Sequence, residues 1–460
     1  MLKFLKKPWF IITSIIILLI GFFTSIACIK LNNLYKPSFY NYASYISANN
    51  RKNLEKQLDY KEFGTINEFN VAISRNQAAA GIGTDSQAIQ LIKQDKLKKI
   101  DYEKIFGKGI KTPEKFLTPV IWEHLNSYDS FLLTDSYGKM YEKPRHLWEY
   151  FVPYYIQEVV IAYNHTKNNN KKIKVEENDS YYEILKKLNK ANYKKIGLLD
   201  DYRNNLAIGS TRLSQSNNSN YVDKFNEINL NVTENNYKSQ IQSFINLIKD
   251  SFDTTFKNTK KLLLDGDGQV ILRNLIDPNS NVDVAIMFNG DALDAYYSED
   301  NFEQVPTGSI TVVSPKHSIY SLDGLIINKN FDTKTLNKYY ETIRNSFFKG
   351  YELTKFKNGK YDENASVQAL EKETFDTKTK EYDYEKLPFL SNFDLINYTP
   401  VYRIEYDFIK KHYFVNNNNS LDSEAMGIYD LKATKTNSIK PISFILASIV
   451  NAYYNRKIKE

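Results

Sequence analysis

The chain has 460 residues, 42% hydrophobic and 14% aromatic, which is enough for two or three domains or one large two-lobed body with a sizeable core. Its net charge of +7 comes from Lys and Arg spread along the chain rather than gathered in one block, which argues against a nucleic-acid face. A single cysteine, Cys28, excludes an internal disulfide, and the five histidines are too scattered to suggest a metal site.

Lys3, Lys6 and Lys7 precede the uncharged apolar run Trp9–Ala27, and the next charge is Lys30. Such a run is long enough to span a bilayer, and the upstream lysines would stay inside, leaving the bulk of the chain outside. Ser25-Ile26-Ala27-Cys28 is similar to a bacterial lipobox, in which the Cys is lipidated, although Ser25 and Ile26 depart from the usual residues. Two readings follow: a lipid on Cys28, or an uncleaved anchor. Both tether the body to the outer face of a membrane. No second apolar run of comparable length exists, which argues against a multi-span transporter.

Leu31–Ser38 reads as a linker. Phe39–Ile46 reads as a strand running into a polar turn, and Gly83-Thr84-Asp85-Ser86 as a loop into a helix N-terminus. Val159–Tyr163, after Pro153-Tyr154-Tyr155, is an apolar strand. Ser180-Tyr181-Tyr182-Glu183 is a capping box, opening a helix whose apolar face carries Ile184, Leu185 and Leu188. The short strand Ile196–Leu199 empties into Asp200–Asn205 and then a helical Leu206–Leu213. Ile241, Phe244, Ile245, Ile248 and Phe252 recur at helical spacing. Asp265-Gly266-Asp267-Gly268 lacks the further ligands of a calcium loop and reads as a tight turn.

Val282–Phe288, Ser309–Val313 and Gly324–Asn328 are β-branched runs bounded by turn residues, so each reads as a strand. Tyr320-Ser321-Leu322-Asp323 sets an aromatic and a carboxylate at the mouth of the third. A carboxylate beside aromatic rings suits an organic cation, through charge pairing and attraction to the ring faces. Asp332 or Thr333 then caps an amphipathic helix stopped by Gly350, Asn416–Asn419 is a low-complexity loop, and Pro441–Tyr454 is a closing helix. Strands alternate with helices throughout, so the class is α/β. No GxSxG, Walker A or GxGxxG pattern occurs, and no nucleophile–base arrangement is visible, so no enzyme activity, cofactor or metal is expected.

Five segments in this order carry a resemblance: PSFYNYASYI, GTDSQAIQLIKQDKLKKID, VPYYIQEVVIAYN, ANYKKIGLLDDYRNNLAIGSTRL and Asn281–Asn330. Together they resemble the spermidine/putrescine-binding proteins of bacterial ABC importers, over roughly Ser38 to Pro400. The resemblance implies a two-lobed periplasmic-binding-protein-like fold of type II with the ligand cleft between the lobes. After a signal or anchor in 1–30, lobe 1 would hold 36–155 and 321–400, and lobe 2 would hold 156–320 and 401–460. It implies ligand contacts at Tyr42, Tyr45, Thr84, Asp201, Asp323 and Tyr398. Phe288 stands where the family has a Trp, Tyr320 lies one residue from the place of a second Trp, and Ser86 replaces an aromatic. Ser44 and Asn204 stand where spermidine binders carry glutamates, which leaves a shorter diamine or a different cationic or polar solute open. The implied partners are a polyamine or other small cation and the permease and ATPase of an importer. A surface lipoprotein with an adhesive role, its cleft degenerate, is the alternative of another class.

Overall fold

The sheet is built around one strand, Phe151–Asn164, whose 14 residues are all buried. A run this apolar fits only where both faces of a strand are covered. The computed structural model describes residues 8–32, 36–64, 66–215, 230–415, 420–430 and 438–460, with only the backbone for 8, 10–11, 27–32 and 215. The Asn416–Asn419 loop lies outside the described residues.

Nine strands carry the architecture: β1 (Ser38–Tyr42), β2 (Asp59–Phe63), β3 (Ala80–Thr84), β4 (Phe151–Asn164), β5 (Ile196–Leu199), β6 (Leu262–Asp265), β7 (Val284–Phe288), β8 (Ile310–Val313) and β9 (Ile319–Ile327). Their order in the sheet is β2-β1-β3-β9-β4-β7-β5-β6, and β8 and a short strand, Thr399–Pro400, also pair with β4. β1 pairs in parallel with β2 and β3 at one end, and β5 in parallel with β6 and β7 at the other. The long antiparallel pair β4–β9 joins these two groups.

Two hydrophobic cores flank this pair. One gathers residues such as Phe39, Ile82, Tyr154, Phe347 and Tyr351, and the other Ile184, Ile196, Phe244, Ile248 and Val450. The second core includes the interface between helices Tyr202–Gln215 and Tyr237–Phe252. Gly209 makes their close approach possible, because a Cβ there would lie 2.1 Å from the Gln240 carbonyl oxygen. Alanine normally favours a helix interior over glycine by about 1 kcal/mol. Here the clash is with backbone and wins: Gly209→Ala is expected to destabilise the protein by about 1–3 kcal/mol in chemical denaturation. An unchanged or raised midpoint would show that the helices do not pack this closely.

Two strands extend beyond their sequence readings. β4 runs through Pro153, where the pairing with β9 shifts register between Pro153 and Ile156. Proline has no N–H to give, and the irregularity accommodates it. β9 begins at Ile319, so Asp323 sits within a strand rather than at its mouth. Between β2 and β3 runs a helix, Ile66–Ser74.

At the N-terminus a helix covers Pro8–Asn32, with Ile12, Ile15–Ile20, Phe22, Phe23 and Ile26 exposed. Among the described residues no helix is long and apolar enough to cross a membrane. The side chain of Cys28 lies outside the described residues.

Candidate ligand site

Strand register brings the polar centre together. β3 pairs antiparallel with β9 and sets Thr84 opposite Asp323. β4 pairs with β9 and sets Gln157 opposite Ser321, which lies on the same face as Asp323 by strand alternation. At the end of β1 the chain turns through Ser44, an exposed residue in the left-handed region at φ 55°, and returns Tyr45 to the interior.

Tyr45 donates its hydroxyl to Asp323 Oδ2 at 2.9 Å. Gln157 donates Nε2 to the Tyr45 oxygen at 3.1 Å and also to Asp323 Oδ2. Asp323 is fully buried, and among the described residues its Oδ1 has no hydrogen-bond partner. Burial pushes its carboxyl up to about 8; the Tyr45 hydrogen bond opposes this and nearby Asp85 adds to it.

A chain of rings borders this carboxyl. Tyr42 and Tyr45 have centroids 5.3 Å apart, Tyr45 and Tyr398 5.7 Å, and Tyr398 and Phe288 6.2 Å. Phe288 ends β7, and Tyr398 precedes the short strand that pairs Thr399 with Ile156 of β4. Gly290 lies under the Tyr398 ring, where a Cβ would come within 1.6 Å. Burial raises the Tyr42 phenol, as do Asp323 and Asp201, while Arg203 lowers it. Tyr42 therefore sits among charges from both halves of the sheet.

The other sequence-derived positions have specific surroundings. Thr84 caps the helix Asp85–Lys93 through its hydroxyl and the backbone N–H of Gln87, in a reciprocal capping box. Thr84 Oγ1 is 3.2 Å from Ser86 Oγ, and the buried Ser86 receives a hydrogen bond from the Arg203 guanidinium. Asp201 Oδ1 accepts from the backbone N–H groups of Arg203 at 2.7 Å and Asn204 at 3.2 Å, so it caps the helix Tyr202–Gln215. Asn204 is buried and lines a narrow recess with Val159, Ile286 and Phe288.

Tyr320 points to a different cluster. Its hydroxyl lies 3.2 Å from His124 Nδ1, and His124 Nε2 lies 2.8 Å from Asp85 Oδ2. Tyr128 also donates to Asp85 Oδ2, at 2.8 Å. The structure thus joins Tyr45, Asp323, Tyr42, Tyr398 and Phe288 directly. It places Thr84, Ser86 and Asp201 around Arg203, sets Tyr320 beside His124, and leaves Ser44 on the surface. Gln157, Arg203, His124 and Asp85 are additions from the structure. Gln157-Glu158 interrupts an otherwise apolar strand, and a polar pair in such a run is a readable sign of a buried polar site. Among the described residues no group of three or more His, Cys, Asp or Glu could hold a metal ion.

Two parallel strand groups joined by long crossing strands, with a polar and aromatic centre on the crossing, define a two-lobed periplasmic-binding-protein fold. The chain belongs to the hypothetical lipoprotein family called MG045, whose model matches residues 2–454. No curated protein matches it. Similar solved structures include a protein described as a candidate spermidine/putrescine ABC transporter from Listeria monocytogenes, at 15% identity and TM-score 0.55, covering 92% of this chain and 98% of that one. The spermidine/putrescine substrate-binding protein PotD of Streptococcus pneumoniae matches at 16% identity and TM-score 0.51, over 92% and 98%. The GacH receptor of Streptomyces glaucescens, solved with acarbose, matches at 13% identity and TM-score 0.54, over 93% and 94%. The fold is common to all three, while the molecules they are described with differ in chemistry.

Proposed function

We propose that this protein is the solute-binding component of an ABC importer, and that it captures a small organic cation, of the putrescine and spermidine class, at Asp323. It performs no chemistry. It binds solute between its lobes, closes, and presents the closed form to a permease and its ATPase. In this reading lobe 1 comprises 36–155 and 321–400, lobe 2 comprises 156–320 and 401–460, and the N-terminus tethers the body to the outer face of the membrane through a lipid on Cys28 or a retained helix.

One observation carries the reading: a fully buried carboxyl with an unpartnered oxygen, set beside a chain of four aromatic rings. A buried carboxylate without a counter-charge is costly, and an ammonium group supplies both charge and hydrogen bond. The rings add attraction to the cation and wall the methylene stem. The spermidine/putrescine descriptions of two similar structures support the amine assignment.

The test is calorimetric titration of the full chain in detergent with putrescine and spermidine, with thermal shift as a second readout. Saturable binding is expected for at least one. Neither heat nor a shift with any primary amine would remove the amine assignment.

A further inference from the structure

A cation also lies near Asp323, on the side of Thr84, which β3 sets opposite Asp323. Arg203 opens the helix Tyr202–Gln215, which follows β5, and its guanidinium reaches the Ser86 hydroxyl at the end of β3. Ser86 is buried and Arg203 half-buried, so the bond reaches from the interior towards the surface. The Thr84 hydroxyl, which accepts from the Gln87 N–H, is 3.2 Å from Ser86 Oγ, and either hydroxyl can donate to the other. The neighbouring acids are already engaged: Asp201 Oδ1 accepts from two backbone N–H groups, and the carboxylate of Asp85 accepts from the Ser86 N–H and the Tyr128 hydroxyl and lies beside His124. Asp323 and Arg203 act with opposite sign on the Tyr42 phenol, so both lie within electrostatic reach of the same ring.

A linear diamine anchored at Asp323 would send its second ammonium toward the guanidinium, where like charges repel. A carboxylate in that place would be met by the planar donor fork of Arg203 and by the one hydroxyl proton that the Thr84–Ser86 pair leaves free. We propose that the solute carries a carboxylate at the end opposite its ammonium: a linear ω-amino acid rather than a diamine. This rests on the reading of Asp323 as an amine site: it keeps the ammonium of that reading and puts a carboxylate in place of the second ammonium of a diamine.

The experiment titrates the full chain in detergent with γ-aminobutyrate and 5-aminopentanoate, with the matched diamines putrescine and cadaverine, and with n-butylamine. The amino acids are expected to bind at least tenfold more tightly than the diamines and the monoamine. Arg203→Gln should reverse that order, and Arg203→Lys, which keeps the charge, should retain it. The thermal melt of each unliganded variant separates lost folding from lost binding. Diamines that bind as well as or better than the amino acids would overturn the proposal while leaving the amine site standing. n-Butylamine equal to the amino acids would overturn it too, since the carboxylate would contribute nothing. If no amine of any kind binds, the reading of Asp323 fails and this inference falls with it.

Discussion

Asp323→Asn is expected to lower solute affinity by more than 100-fold in calorimetry and, in the absence of solute, to raise stability above pH 7. The asparagine has the same shape and can still accept from Tyr45 and Gln157, so packing is kept while the charge is removed. What is lost is the pairing with an ammonium in a water-excluded site, where charge-assisted bonds are strongest. The protonation state gives a further signature. With its carboxyl pushed up to about 8 by burial, Asp323 carries a proton at neutral pH in the empty protein. Binding an ammonium there expels that proton. Apparent affinity should therefore rise with pH between 6 and 8, by up to about tenfold per unit. Titrations in buffers of different ionisation enthalpy would register about one proton released. An asparagine variant that binds like the wild type, or binding that ignores pH in this range, would move the amine site elsewhere.

The parts legible in the sequence were those that local pattern controls. The apolar runs around Val159, Ile196 and Val284 became β4, β5 and β7, and the capping box at Ser180 opened its helix as expected. The Asp265–Gly268 stretch, expected as a tight turn, is the junction where β6 ends and Asp267 caps the helix Gly268–Ile276, with Asp265 accepting from the Asp267 N–H at 2.9 Å. Asp323 and Tyr45 could be singled out as residues, but their hydrogen bond spans 278 positions, and no local pattern reports it. Strand lengths were underestimated where a proline or a polar residue sat inside a strand that tertiary pairing completes. Pro153 in β4 and Ser321 and Asp323 in β9 are the cases. Arg203 was hidden for another reason. Its role depends on bringing the end of β3 close to the start of a helix more than a hundred residues away, which only the sheet order determines.

A pH effect on folding, independent of solute, should come from a carboxyl outside the ring-lined site. Glu405, on the helix Arg403–His412, is fully buried and accepts from Tyr155 at 3.1 Å and Tyr351 at 2.5 Å. Burial pushes it up to about 8, against about 4.3 in an unfolded chain. Asp323 is raised likewise, and Asp291 to about 7. A carboxyl whose folded value is raised holds a proton that the unfolded chain has released, so stability falls as pH rises from the unfolded value through the folded one. Below about 6.5 this trend is opposed by His165 and His412, which burial holds below their usual value and which favour unfolding as they protonate. Lys167, pulled down to about 8 by burial, acts above that pH. The window from pH 6.5 to 8 therefore belongs to the carboxyls. Across it the wild type is expected to lose on the order of 2–4 kcal/mol of stability in guanidinium denaturation. Glu405→Gln should remove about 1–2 kcal/mol of that fall and leave solute affinity unchanged, since Glu405 is buried among Tyr155 and Tyr351 rather than beside Asp323. A wild type with flat stability over this window would show that these carboxyls are ionised in the fold. A variant with the wild-type slope would assign the fall to Asp323 and Asp291 alone.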